Sequence, residues 1–160
     1  MSLSLLRFVL ASVATTLLVG CADKNIPNTD VPESEENRKV LDFMERYRRA
    51  VEKRDVDALM AMASPAYFDD HGTPSGKDDT DRKQLNAQLN KWKELVISVR
   101  YEIRYRKVEF RRSKVFVSFT YTGSFELNRP DGSTKWSRRI GDHRMVLIPH
   151  GGKFLISSGM

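Results

Sequence analysis

A single cysteine, Cys21, stands in 160 residues, so no disulfide can form within the chain. One thiol and three histidines offer no Cys-rich zinc pattern either. The sequence holds no internal repeat and no low-complexity segment, which sets aside repeat architectures and compositionally disordered chains. Its apolar stretch Phe8 to Leu18 (FVLASVATTLL) is too short to cross a bilayer as a stable helix. What is present, 40% hydrophobic and 30% charged residues, is the composition of one ordinary globular domain.

The apolar stretch follows the lone basic residue Arg7 and leads into Leu18-Val19-Gly20-Cys21, the layout of a signal-peptide apolar region with small residues at a cleavage point. That tetrapeptide resembles the lipobox of bacterial lipoproteins. The resemblance implies that residues 1 to 20 are removed and that Cys21 becomes the acylated first residue. Thioether formation needs a sulfur nucleophile, and two or three acyl chains anchor stably where one does not. A lipid anchor in the cell envelope is the expected location. With Ala22 after the cysteine, the resemblance implies the outer membrane facing the periplasm in a two-membrane envelope.

Residues 21 to 37 are polar, contain two prolines and show no apolar periodicity, so the lipidated cysteine is expected to continue into a flexible tether. The folded domain is expected over 38 to 160. Val40, Phe43, Met44, Tyr47, Ala50 and Val51 recur at helical spacing. Asp55 can cap a second helix that ends before Ser64-Pro65, and Ala66-Tyr67-Phe68 reads as a short extended piece. A turn-rich loop from Asp69 to Lys77 precedes a third helix carrying Leu85, Leu89 and Trp92, with Asp78 or Asp79 as its expected cap.

From Leu95 onward the period changes from helical to two. Ile97, Val99, Tyr101, Ile103 and Tyr105 alternate with polar residues, and Val115, Val117, Phe119, Tyr121 and Phe125 repeat the pattern after a break near Arg111-Arg112-Ser113. Turns at Pro130-Asp131-Gly132 and His150-Gly151-Gly152 bound a third strand over 135 to 148 and lead to a fourth. Helices followed by an antiparallel meander define the α+β class.

This order of elements resembles the NTF2-like superfamily. The resemblance rests on 46 to 72 (RYRRAVEKRDVDALMAMASPAYFDDHG), the long strands, and 142 to 160 (DHRMVLIPHGGKFLISSGM). It implies helices packed in the concave face of a strongly curved sheet, forming a cone with a pocket. One member, ketosteroid isomerase, has similar surroundings at three places. Arg46-Tyr47 resembles its first-helix tyrosine, Asp70 its base position, and Asp142-His143 its strand Asp-His pair. On that resemblance Asp70 moves a proton beside a carbonyl while Tyr47 and a neutral Asp142 hold the enolate oxygen. The residues themselves also admit structural roles: Tyr47 sits on the apolar stripe, Asp70 in a turn that favours Asx chemistry, and Asp142 beside Arg138, Arg139 and Arg144.

Asp69, Asp70, His71, Asp78, Asp79 and Asp81 could offer oxygen ligands to a hard cation, but their spacing fits no EF-hand and helix capping accounts for several; no metal and no cofactor is expected. Ser157 and Ser158 have no evident acid-base partners. Charge is unevenly distributed: residues 91 to 144 hold 14 Lys or Arg against 6 Asp or Glu, and residues 22 to 90 hold 11 against 15. Arg100, Arg104, Arg106, Arg138 and Arg139 are expected to form a basic sheet face, a solvated surface or a contact for anionic headgroups, glycans or an acidic protein. An exported chain has little occasion to meet nucleic acid.

The expected protein is an envelope lipoprotein with a non-catalytic domain that binds a partner or a small apolar ligand. The alternatives are a small pocket enzyme (proton transfer, dehydration or hydrolysis) and an adaptor that forms a homodimer through its sheet. A hollow cone favours the first two, and a cone filled by Tyr101, Tyr105, Phe119 and Trp136 favours the adaptor.

Overall fold

The computed structural model describes residues 24–160, so the leader and Cys21 lie outside the described residues. Ser34 opens helix α1 (Glu35–Lys53): its hydroxyl accepts the Asn37 N–H, and Glu35 and Glu36 sit in the first turn, where the helix dipole favours acid. Val40, Met44, Tyr47 and Val51 form its buried stripe. Arg54 ends the helix in the left-handed region at φ 53°. Asp55 then caps α2 (Val56–Met62) by accepting the Ala58 N–H.

Two short strands, β1 (Phe68–Asp69) and β2 (Thr80–Asp81), pair antiparallel across the turn-rich loop. They lead into α3 (Arg82–Leu95), whose cap is Asp81 and not Asp78 or Asp79. Asp81 accepts the Gln84 N–H and Gln84 reaches back to the Asp81 N–H, a reciprocal capping box. Pairing of Asp81 with Phe68 already holds that residue extended, which a cap requires.

The change of period at Leu95 is the boundary between helix and sheet. Strands β3 (Val96–Arg111), β4 (Lys114–Asn128), β5 (Thr134–His150) and β6 (Lys153–Ser158) form one antiparallel sheet in sequential order. Register shifts between Val96 and Ser98 and between Tyr105 and Lys107 interrupt β3, and such bulges bend a sheet. Phe119, Met145 and Leu147 on the concave face pack with Val40 and Met44 of α1 in one core. The cone expected from the sequence is the fold observed.

Residues 24–34, expected to be a free tether, are folded onto the sheet. Asn25 bridges Pro32, the Ile26 N–H donates to the Val31 carbonyl at 2.9 Å, and the Asp30 N–H donates to the Tyr105 carbonyl at 3.0 Å. Ile26 and Val31 are buried in the main core. Two apolar side chains in a polar stretch suffice, because the exposed edge of β3 supplies the backbone partners.

Candidate functional site

On the concave face the register places side chains in rows running from β3 through β4 to β5. The rows are Val99, Phe125, Ser137; then Tyr101, Gly123, Arg139; then Ile103, Tyr121, Gly141; then Tyr105, Phe119, His143. Gly123 and Gly141 leave room in the two middle rows for neighbouring rings. The Phe125 ring lies over Gly123, and the Tyr121 ring lies against Gly141, where an added Cβ would come within 3.2 Å of it. The Tyr101 and Tyr121 rings stack with centroids 5.6 Å apart and planes at 27°.

These rows floor a cavity of about 440 Å³ that α1 covers with Tyr47, α2 with Leu59 and α3 with Leu89 and Trp92. The cone is hollow: Tyr101 lines the cavity, Tyr105 and Phe119 are buried in the core, and Trp136 lies on the opposite face of the sheet. The volume lies within the range of small-molecule sites. Among the described residues no Asp or Glu lines it, and Arg139 is its charged lining residue.

Burial pushes the Tyr47 phenol well above its ordinary value; Tyr67 acts in the same sense and a hydrogen bond with Tyr101 acts against it. Burial likewise raises Tyr101. Both therefore stay neutral, and neither is a ready proton source; the Tyr101 hydroxyl is spent on Tyr47. His143 Nε2 lies 3.0 Å from the Gly159 carbonyl, so that nitrogen carries the proton and donates, and the ring meets Phe119 edge-on at 5.4 Å.

The three residues suggested by the isomerase resemblance occupy separate places. Tyr47 lines the cavity. Asp70 is exposed in an Asx turn, accepting the Gly72 N–H at 3.0 Å. Asp142 is exposed on the convex face, where Thr120 Oγ1 donates to it at 2.6 Å. Its strand neighbour His143 points the other way, into the cavity. The structure does not bring Tyr47, Asp70 and Asp142 together.

The expected basic face divides in the same manner. Arg100 and Arg138 lie on the convex face, with the Arg100 guanidinium 5.6 Å from the centre of the Trp136 ring. Arg104 and Arg106 are already engaged, each 2.9 Å from a carboxylate oxygen of Asp30. Arg139 faces inward and lines the cavity. Strand alternation counted back from buried Met145 reaches His143, Gly141, Arg139 and Ser137 in steps of two, which is the signal by which Arg139 and His143 could have been found.

The acidic loop is occupied with local structure. Asp78 accepts from Thr73 and Ser75, and buried Asp69 accepts the His71 N–H and, at 2.8 Å, the Gly159 N–H. Among the described residues no three His, Cys, Asp or Glu side chains are grouped to hold a metal ion.

A helix-capped α+β cone with an aromatic cavity on its concave face defines the structural class. No protein-family model matches the chain, and no curated protein matches it in sequence. Solved structures do match its fold. A conserved protein from Planctomyces limnophilus is 10% identical, with a TM-score of 0.65 over 78% of this chain and 92% of that one. The protein Aln2 from a Streptomyces species is 15% identical, with a TM-score of 0.62 over 81% and 91%. A ketosteroid isomerase-like protein from Erwinia carotovora atroseptica is 16% identical, with a TM-score of 0.59 over 79% and 95%. At such identities the likeness is one of architecture. The chain has the NTF2-like fold.

Proposed function

We propose that this is an envelope lipoprotein, anchored through Cys21, whose cone binds a small apolar molecule without transforming it. The observation that carries the binding reading is the hollow, aromatic cavity of about 440 Å³ between α1, α3 and the concave face. An apolar, ring-lined wall favours an apolar guest by roughly 25 cal/mol for each Å² withdrawn from water. The binding-only reading is supported by the composition of the lining: among the described residues no carboxylate lines it, and the two buried tyrosines hold their protons. The anchor rests on the Leu18-Val19-Gly20-Cys21 resemblance.

The test uses the mature polypeptide from residue 21, made without its leader, and the neutral fluorophore N-phenyl-1-naphthylamine. Expected are saturable one-to-one binding, energy transfer from Trp92, and loss of binding in Leu89→Trp, which fills the cavity. Absence of saturable binding, or full binding by Leu89→Trp, overturns the reading. Metabolic labelling with palmitate tests the anchor: label is expected in the full chain and absent from Cys21→Ala.

A second reading, an adaptor pairing through its sheet, is favoured by one observation. Trp136 and Ile140, 49% and 64% exposed, stand on the convex face of β5. A dimer by light scattering that Trp136→Lys converts to monomer would support it.

A further inference from the structure

We infer that the cavity takes an amphiphile with an apolar ring body and one anionic head, a carboxylate, sulfate or sulfonate, and that Arg139 holds the head at the mouth. The inference rests on the cavity reading above and names the chemical class of its guest. Arg139 is the charged group among the described lining residues, and no described carboxylate opposes it. Every ion pair of the described sheet arginines involves Arg104, Arg106 or Arg111, with Asp30 or Glu109; Arg139 makes none.

Its position also says how the guest lies. Arg139 is exposed, while Tyr101 and Gly123 in its own row are buried and Tyr121 and Gly141 in the next are half-buried. Gly123, the residue opposite Arg139 on β4, is covered by the Phe125 ring, so the surface between the guanidinium and the Tyr101 ring is aromatic. A cation at the rim keeps its hydration until a ligand arrives, so it recruits an anion without the cost of a buried charge. The planar guanidinium suits a two-oxygen head, and the apolar body then points inward past Trp92. Ser137, one step along the same face, adds a hydroxyl donor at the mouth.

N-Phenyl-1-naphthylamine and its sulfonate, 8-anilinonaphthalene-1-sulfonate, share one skeleton and differ in the charged head. The wild-type mature polypeptide is expected to bind the sulfonate about tenfold more tightly than the neutral compound, about 1.4 kcal/mol. Arg139→Gln should remove that preference, read as the ratio of the two affinities in the same variant, and a variant that keeps the tenfold ratio overturns the anion assignment. Arg139→Lys should restore part of it. Arg138→Gln removes the same charge from the convex face and should change neither affinity. Equal binding of the two compounds by wild type, or an equal loss of preference in Arg138→Gln, overturns the anion assignment and leaves the cavity reading standing. Failure of both compounds to bind overturns both.

Discussion

Gly159 illustrates how a single residue governs the site. It adopts φ +83°, and a Cβ there would meet the Arg144 carbonyl and the Met145 backbone. Its N–H donates to Asp69 and its carbonyl receives His143, so one glycine ties the buried carboxylate to a cavity histidine and precedes Met160, which lines the cavity. Gly159→Ala is expected to cost at least about 2 kcal/mol, since both the backbone and the space forbid it. The check is the urea midpoint, which should fall with an unchanged slope. The neighbouring Asp69→Ala should cost about 1 to 3 kcal/mol through the orphaned Gly159 N–H, whereas Asp70→Ala, in an exposed turn, should stay within about 0.5. The sequence resemblance singled out Asp70, and the turn-rich stretch itself gives no reason to prefer Asp69. What separates them is a contact 90 residues away. Tyr47, by contrast, was legible from its apolar stripe, and Arg139 and His143 were within reach of strand alternation. The seating of the Phe125 ring over Gly123 was not, because it depends on how the strand is bent.

Between elements, the seam of α1 with β3 decides whether the cone stays closed. β3 is an edge strand, and its unpaired backbone is capped by side chains. Glu52 accepts the Tyr101 N–H at 3.1 Å, Arg48 donates to the Tyr101 carbonyl at 3.2 Å, and the Tyr105 hydroxyl donates to Glu45 at 2.8 Å. Arg48 binds both Glu45 and Glu52, which holds the three in place. An edge so covered is closed to strand addition from another chain. Arg48→Ala is expected to cost about 1 to 2 kcal/mol, less than a fully buried pair because the side chains are partly wetted. Hydrogen exchange at the Tyr101 amide should accelerate more than at strand-paired amides of β4. The three helices and four long strands were readable from their periods, whereas β2 and the Asp81 cap of α3 were not, although Asp81-x-x-Gln84 carries the spacing of a capping box. The seam was not, since i, i+4 charges on a helix look the same whether they face solvent or an edge.

At the scale of the whole molecule, the docked N-terminal hairpin is the feature that composition conceals. Asp30 clamps it to the sheet. Hydrogen bonds from Arg106 and then Arg104 hold its carboxyl below the ordinary aspartate value. A depressed folded-state value means that this contribution is complete above the ordinary aspartate range and is lost as pH falls through the depressed value. Exchange of the Asp30 amide, bonded to the Tyr105 carbonyl, should therefore rise on acidification relative to core amides, and Asp30→Asn should show the faster exchange at neutral pH with the acid dependence removed. Pattern reading missed this docking because Ile26 and Val31 are too few to show a period, although both are buried.

The docking sets the length of the leash. Between the acylated Cys21 proposed here and the seated Lys24 lie only Ala22 and Asp23, a reach of at most about 10 Å at full extension. That is close to the distance over which salt leaves a headgroup charge visible, about 8 to 10 Å. With that proposed anchor, the protein would ride close against its bilayer, and its freedom to tumble would be set by Asp30 and its two arginines more than by the acyl chains.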